Sequence, residues 1–238
     1  MLFLLTGQVQ TGKTRWLQAL ARDMLERGVP VWGVVAPGVW RESRDADDSA
    51  GFVSARVLAG NPASARLEKT GIDNVLLPSG ARVPFARRCD LAQAAGVFDA
   101  KSQSARANLV WSIDDAAIVQ VNEHFSKIAR LVRFEVGFTP AASARASTPV
   151  PSSARAGLLV IDEFGMLELA RGEGLTEAVA LVDAGAAPRC PHALVVVREQ
   201  LYACARDRFT CAPWGGVSPL HADDEGRAVV FGAFGLEN

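Results

Sequence analysis

The sequence predicts an α/β fold in which a mainly parallel sheet is flanked by helices. Apolar runs of strand length alternate with segments whose apolar residues recur at helical spacing, which is typical of βαβ units. The chain has 238 residues, of which 49% are hydrophobic and 21% are charged, and these values suit a soluble domain with a sizeable core. We therefore expect residues 1–238 to form a single domain. The strand-like runs are Leu2–Leu5, Val31–Val35, Gly157–Ile161, Ala193–Val197 and Val229–Phe234.

The first strand-like run leads directly into a glycine-rich loop and a helix. Residues 7–14 fit the pattern G-x-x-x-x-G-K-[ST] of the phosphate-binding loop, or Walker A motif. Helical spacing of apolar residues from Lys13 to Arg27, with Gly28 as a stop, completes the strand–loop–helix setting that the motif needs. The sequence therefore predicts a P-loop NTPase fold. The residues expected to bind nucleotide are Gly7, Gln8, Val9, Gln10, Thr11, Gly12, Lys13 and Thr14.

Each fixed position of this loop has a chemical reason. Gly7 and Gly12 allow backbone turns that a Cβ would block, so that successive N–H groups can converge on phosphate oxygens. The Lys13 ammonium group is expected to bind the β- and γ-phosphates, and the Thr14 hydroxyl group to ligate Mg²⁺. The expected ligand is ATP, GTP or another nucleoside triphosphate, with Mg²⁺ as the cofactor.

A second motif follows the apolar run that ends at Ile161. Asp162 and Glu163 come next, and a carboxylate at the C-terminal end of a neighbouring parallel strand lies beside the bound phosphates. Asp162 is therefore expected to hold Mg²⁺, directly or through water, as a Walker B residue. Glu163 is expected to position and polarise the water that attacks the γ-phosphate. The predicted catalytic residues are Glu163 and Lys13, and the predicted metal ligands are Thr14 and Asp162.

The middle of the chain departs from the strand–helix alternation. Between about residues 40 and 110, short strand-like pieces alternate with turns, which predicts a small antiparallel insertion. Asp114–Leu131 is again helical, with either Asp114 or Ser112 as its N-cap. Residues 139–157 almost lack large apolar side chains, so we expect a mobile loop there.

Composition argues against several classes of partner. The net charge of −1 gives no overall electrostatic footprint for nucleic acid, and no apolar run approaches the roughly 20 residues of a membrane span. Neither nucleic acid nor membrane is therefore expected, and no protein partner is indicated. The cysteines form no C-x-x-C pair, which favours reduced thiols and a cytoplasmic location. Zinc ligation is an alternative whose spacing matches no common structural pattern; its ligands would be Cys190, His192, Cys204 and Cys211.

One segment resembles a known enzyme family. Leu158–Leu169 reads Leu-Leu-Val-Ile-Asp-Glu-Phe-Gly-Met-Leu-Glu-Leu and resembles the I-D-E-[IF]-G-x-x-E-L segment of the THEP-type nucleoside-triphosphatases. The resemblance implies a compact α/β P-loop enzyme that slowly hydrolyses ATP, GTP and other nucleoside triphosphates to diphosphates with Mg²⁺. Other stretches that agree in order are Gly33–Pro37, Arg41-Glu42, Gly51-Phe52, Leu77–Gly80, Ala86–Arg88 and Trp111–Asp114.

The chain differs from that family near the expected site. Relatives commonly have glycines at positions 9–11, where this chain has Val-Gln-Thr. The strand-like run 193–197 is followed by Arg198, where a small polar sensor residue is expected. Three arginines are candidates to neutralise negative charge in the transition state, and the sequence does not choose among them. They are Arg198, Arg206 and Arg208.

The two motifs together predict a Mg²⁺-dependent hydrolase of nucleoside triphosphates. A small-molecule or nucleotide kinase remains an alternative, which would need an acceptor pocket and usually an arginine-bearing lid. The Ser-Ala-Arg-rich loop 139–157 could be misread as such a lid. A second alternative is a nucleotide-dependent accessory protein similar to the molybdopterin-guanine-dinucleotide accessory proteins. The sequence has no Asn-Lys-x-Asp motif, which argues against a dedicated GTP switch.

Overall fold

The computed structural model describes residues 1–8, 11–42, 67–133 and 156–237, and it confirms the α/β fold. In these ranges nine strands form one sheet with helices on both faces. The strands are β1 Leu2–Leu5, β2 Val31–Val35, β3 Gly38–Glu42, β4 Leu67–Leu77, β5 Ala81–Arg88, β6 Trp111–Ile113, β7 Leu158–Phe164, β8 His192–Val197 and β9 Val217–Leu220. The helices are α1 Lys13–Glu26, α2 Cys89–Ala94, α3 Gln103–Arg106, α4 Asp115–Arg133, α5 Thr176–Asp183, α6 Tyr202–Phe209 and α7 Asp224–Ala233.

The sheet has two parts with different strand directions. Strands β2, β7, β8, β1 and β9 pair in parallel in this order, and we call them the parallel half. Strand β4 joins β2 in the antiparallel sense, and β3, β5 and β6 continue that pairing. We call β3–β6 the antiparallel arm. The predicted antiparallel insertion is therefore present, and it extends the sheet rather than forming a separate layer.

The order of the parallel strands corrects one expectation. Strand β7, which carries Asp162, is not the neighbour of β1; strand β8 lies between them. Parallel strands end at the same edge of a sheet, so the residues that follow β8 lie between the phosphate loop and Asp162. Arg198 is the first of these residues.

The core lies on both faces of the parallel half. Leu2 and Leu4 of β1 face the cluster that contains Phe125 of α4. Phe3 and Leu5 face the opposite cluster, where α1 and α7 pack. Successive strand side chains point to opposite faces, so a strand that is apolar at every position must be covered on both. This explains the continuous apolar runs in β1, in β2 and over residues 158–161 of β7.

Two helix termini follow the predicted chemistry. Helix α1 ends at Glu26, and Gly28 takes a left-handed φ of 75° just beyond it. Before α4, the side chain of Asp114 accepts a hydrogen bond from the N–H of Ala116 at 2.9 Å. Asp114 is therefore the N-cap, while Ser112 belongs to β6.

The prediction of a final strand at Val229–Phe234 is wrong. These residues lie mainly in α7, which begins after Asp223, whose side chain accepts a hydrogen bond from the N–H of Gly226 at 2.8 Å. Val230 and Phe231 are buried, whereas Val229 is 44% exposed, as expected for one face of a helix. The last strand is β9, which pairs with β1 at the sheet edge, where the missing N–H of Pro219 is tolerated.

Two sequence predictions remain predictions. Most of the loop predicted at 139–157 lies outside the described residues, and the single-domain assignment of residues 1–238 is likewise a prediction. In the described ranges, no helix combines the length and apolar character that crossing a membrane requires.

Candidate functional site

The loop between β1 and α1 has the backbone geometry that its glycines predict. Gly12 occupies the N-cap position of α1 with φ 90° and ψ 9°, a left-handed conformation in which a Cβ would be strained. The Thr11 hydroxyl group donates to the carbonyl oxygen of Gln8 at 2.9 Å and closes the described part of the loop. Val9 and Gln10 lie outside the described residues. The loop leads directly into the N-terminus of α1, where backbone N–H groups have no partner within the helix.

Lys13 folds back across this loop. Its ammonium group donates to the carbonyl oxygens of Gly7 at 2.7 Å and Gln8 at 2.5 Å. Partial burial lowers the pKa of Lys13, while the charges of Glu163 and Asp162 act in the opposite direction and raise this pKa. Arg198 and Glu199 also act on this pKa. The end of β7 and the residues after β8 therefore lie within electrostatic reach of the loop lysine.

Asp162 is held in a buried position at the edge of the sheet. Asp162 is only 7% exposed. Its side-chain Oδ2 accepts a hydrogen bond from the N–H of Ala36 at 2.8 Å. A side-chain hydrogen bond also joins Asp162 to Thr14. Burial raises the pKa of Asp162 to about 6, against the hydrogen bonds from Ala36 and Thr14, which lower it. A buried carboxylate whose ionised form lacks solvent is stabilised by a nearby cation.

Thr14 and Asp162 fit a magnesium ion by their chemistry. Both offer oxygen ligands, which Mg²⁺ prefers, and their hydrogen bond shows that the two side chains meet. In the part of the chain that the structure describes, no group of three His, Cys, Asp or Glu side chains could hold a metal ion. A nucleotide-bound Mg²⁺ needs only one or two protein ligands, because phosphates and waters complete its coordination shell.

Glu163 follows in an unusual backbone conformation. It has φ 81°, a value that residues other than glycine rarely adopt, and the pairing of β7 with β8 shifts register between Ile161 and Phe164. The Glu163 side chain is 40% exposed, and its Oε1 accepts a hydrogen bond from Nε of Arg198 in an ion pair. At this irregularity the Glu163 side chain is partly exposed, unlike the buried residues before it in β7. The ion pair with Arg198 holds the side chain in this position.

The three candidate arginines differ in position. Arg198 pairs with Glu163, beside the loop lysine. Arg206 pairs with the adjacent Asp207, and Arg208 pairs with Asp183 at 2.7 Å. Neither of these two pairs involves a residue of the loop or the acidic pair. The geometry therefore selects Arg198 among the three.

Glu168 is a site-supporting residue that the sequence reasoning did not single out. It is buried, and its carboxylate accepts hydrogen bonds from the N–H groups of Gly165 at 2.9 Å and Leu175 at 3.0 Å. Burial raises the pKa of Glu168, and these backbone donors lower it. The carboxylate thus fixes the chain that leaves β7 two residues after Glu163. Glu168 occupies the last glutamate position of the segment Leu158–Leu169 that resembles I-D-E-[IF]-G-x-x-E-L. This position is the signal in the sequence that could have identified it.

The zinc alternative finds no support in the side-chain positions. Cys190 is buried and burial raises the pKa of its thiol to about 12, whereas Cys204 and Cys211 are exposed. All four proposed ligands lie in the described ranges, and no metal-binding group of three forms among the described residues. The four cysteines are free thiols.

No family model matches the sequence, and the comparison with curated proteins gives no match. Among solved structures, the chain is similar to the solution structure of a human cancer-related nucleoside triphosphatase, at 18% sequence identity and a TM-score of 0.49. The similarity covers 97% of this chain and 93% of that chain. At this identity and TM-score the likeness assigns no activity to this chain.

Proposed function

We propose that this chain is a Mg²⁺-dependent hydrolase that converts nucleoside triphosphates to diphosphates and phosphate. One observation carries the proposal: at one edge of the sheet, the loop lysine Lys13 is within electrostatic reach of the buried Asp162 and the arginine-paired Glu163. A cation on a loop at a helix N-terminus suits a phosphate chain, and an adjacent carboxylate pair suits metal binding and water activation.

The residues have separate roles in this proposal. Lys13 binds the β- and γ-phosphates, which take over the hydrogen bonds that it now donates to Gly7 and Gln8. Loop N–H groups from Gly7 to Thr14 bind the remaining phosphate oxygens. Thr14 and Asp162 hold Mg²⁺, which when bound offsets negative charge on the phosphates.

Bond cleavage requires a positioned water molecule. Glu163 orients this water and accepts its proton as the water oxygen bonds to the γ-phosphorus. The bond between the γ-phosphorus and the bridging oxygen breaks, and the nucleoside diphosphate leaves with that oxygen. Arg198, which already pairs with Glu163, offers a charge that can stabilise the transferred phosphoryl group.

Broad base preference, slow turnover and a cytoplasmic location are also part of this proposal. The first two are implied by the family resemblance of the segment around Asp162 and Glu163. The free thiols support a reducing compartment. Nucleoside triphosphate is the proposed partner, and neither nucleic acid nor membrane is proposed.

Phosphate release is the direct test. Purified protein should release phosphate from ATP, GTP, CTP and UTP with Mg²⁺, and EDTA should abolish the release. Lys13→Ala should lose most triphosphate affinity in a protein that keeps its fold, while Lys101→Ala, at an exposed lysine, should behave as the unchanged protein. Unchanged nucleotide binding in folded Lys13→Ala would contradict the site. Phosphate transfer only when an acceptor is added would favour the kinase alternative.

A further inference from the structure

Lys69 lies on the antiparallel arm, away from the two motifs. It is opposite Trp40 in the pairing of β3 with β4, and it is half-buried. Its side chain passes over Gly38, where an added Cβ would lie 2.8 Å from Cε of Lys69 and 2.9 Å from Nε1 of Trp40. The missing side chain at Gly38 leaves room for the lysine at the start of β3.

This backbone segment connects Lys69 to the acidic edge of the sheet. Gly38 is two residues beyond Ala36, whose N–H donates to Asp162 at 2.8 Å. The backbone from Ala36 to Gly38 therefore both fixes the Asp162 carboxylate and underlies the Lys69 side chain. Lys69 therefore lies beside the backbone segment that binds Asp162, on the side of β7 opposite to β8.

The ammonium group of Lys69 has no carboxylate partner in the part of the chain that the structure describes. Its contact there is the ring of Trp111 on β6, with Nζ 5.2 Å from the ring centre. An aromatic ring attracts a cation more weakly than a carboxylate does, and it leaves the N–H donors of the ammonium group available. Such a group is suited to receive an anion.

The same acids that act on Lys13 also act on Lys69. Burial lowers the pKa of Lys69, while the charges of Glu163 and Asp162 raise it. Conversely, Lys69 lowers the pKa of Asp162. Two lysines are therefore within electrostatic reach of one carboxylate pair, Lys13 from the phosphate loop and Lys69 from the arm.

We infer that Lys69 binds the terminal phosphate of a bound nucleoside triphosphate, and this inference rests on the proposed function. A triphosphate carries more negative charge than Mg²⁺ cancels, and the charges of Lys13 and Arg198 are offset by Asp162 and Glu163. Lys69 supplies a further positive charge at the acidic edge, where the γ-phosphate of a nucleotide on the loop extends. A diphosphate lacks this phosphate, so Lys69 discriminates triphosphate from diphosphate.

Binding of two nucleotides tests this role. The probes are ADP and the β,γ-imido analogue of ATP, each with Mg²⁺. Lys69→Met should weaken analogue binding by about 10-fold or more, the size of a lost charged hydrogen bond, and leave ADP binding unchanged. Lys69→Arg should retain most of the preference, and the exposed control Lys101→Met should retain all of it. An unchanged affinity ratio in a folded Lys69→Met protein would overturn the inference.

A second measurement uses the unchanged protein and does not depend on a variant that folds. The chain has only four lysines, Lys13, Lys69, Lys101 and Lys127, so amine acylation followed by mass spectrometry reports on each. The analogue should protect Lys69 and ADP should not, while Lys101 and Lys127 should label equally in both complexes. Equal labelling of Lys69 in the two complexes would overturn the inference. Both nucleotides should protect Lys13. If neither does, the proposed phosphate loop is contradicted instead.

Discussion

The parallel half and the antiparallel arm share one sheet but are built in different ways. In the parallel half, β1 and β2 are buried at every position, because helices cover both faces. In the arm, β3 has no fully buried residue, and most residues of β5 are exposed or half-buried. The parallel half thus provides a rigid edge for Asp162 and Glu163. Packing constrains fewer positions in the antiparallel arm than in the parallel half. The arm can therefore carry a charged side chain, Lys69, near that edge.

The largest expected effect is on catalysis at the edge of the parallel half. Asp162→Asn removes the proposed metal-binding charge but keeps the size of the side chain. We expect Mg²⁺-dependent phosphate release to fall by about 10²-fold or more, since a bound metal ion contributes several kcal/mol. Asp207→Asn makes the same charge change at an exposed position and should retain full activity. Equal activity of the two variants would remove Asp162 from the metal site.

The next prediction concerns stability. It compares the replacement of valine by alanine in the parallel half and in the antiparallel arm. Val195 is fully buried in β8, whereas Val39 in β3 is 39% exposed. Val195→Ala should lower the free energy of unfolding by about 1–3 kcal/mol through lost apolar burial and a cavity. Val39→Ala should change it by less than about 0.5 kcal/mol. Urea unfolding measures both, and similar losses would show that the arm is as tightly packed as the parallel half.

A smaller effect is expected from His124, which lies where the two parts join. Its Nε2 is 3.1 Å from the carbonyl oxygen of Gly33 in β2. Burial lowers the pKa of His124 below its ordinary value of 6.5, although backbone hydrogen bonds to Gly33 and Leu77 raise this pKa in part. The native state therefore binds this proton more weakly than the unfolded chain. As the pH falls below about 6.5, the free energy of unfolding should decrease because of this group.

His124→Gln isolates this contribution because it keeps an N–H donor and removes the titration. Between about pH 7.5 and pH 5.5 the unchanged protein should lose more stability than His124→Gln. Urea unfolding at several pH values provides the measurement. Parallel stability curves for the two proteins would show that His124 does not titrate differently on folding.

The parallel half could be predicted from the sequence because its signals are local. Residues 2–5, 31–35 and 193–197 are apolar at every position, and the loop motif joins the first of them to α1. The failure at Val229–Phe234 has a local cause as well, since an apolar run of six residues suits a strand or one face of a helix. Only the cap at Asp223 distinguishes them.

The site residues outside the two motifs depend on strand order and register, which a single sequence does not contain. Arg198 differs from Arg206 and Arg208 in its ion pair with Glu163, which depends on the pairing of β8 with β7. Lys69 has no motif around it, and its position follows from the pairing of β4 with β3. The sequence thus predicts which residues lie on the loop and at the end of β7. It does not predict what approaches them from the arm.

Glu163→Gln tests the central claim most directly, because it separates nucleotide binding from chemistry. The substitution keeps the size of the side chain but removes the proposed base. Affinity for the β,γ-imido analogue of ATP should persist, while single-turnover hydrolysis of ATP should fall by about 10²–10⁴-fold. Glu199→Gln, which changes an exposed charge that also acts on Lys13, should retain most of the rate. An unchanged hydrolysis rate in Glu163→Gln would contradict the account and leave the site without its base.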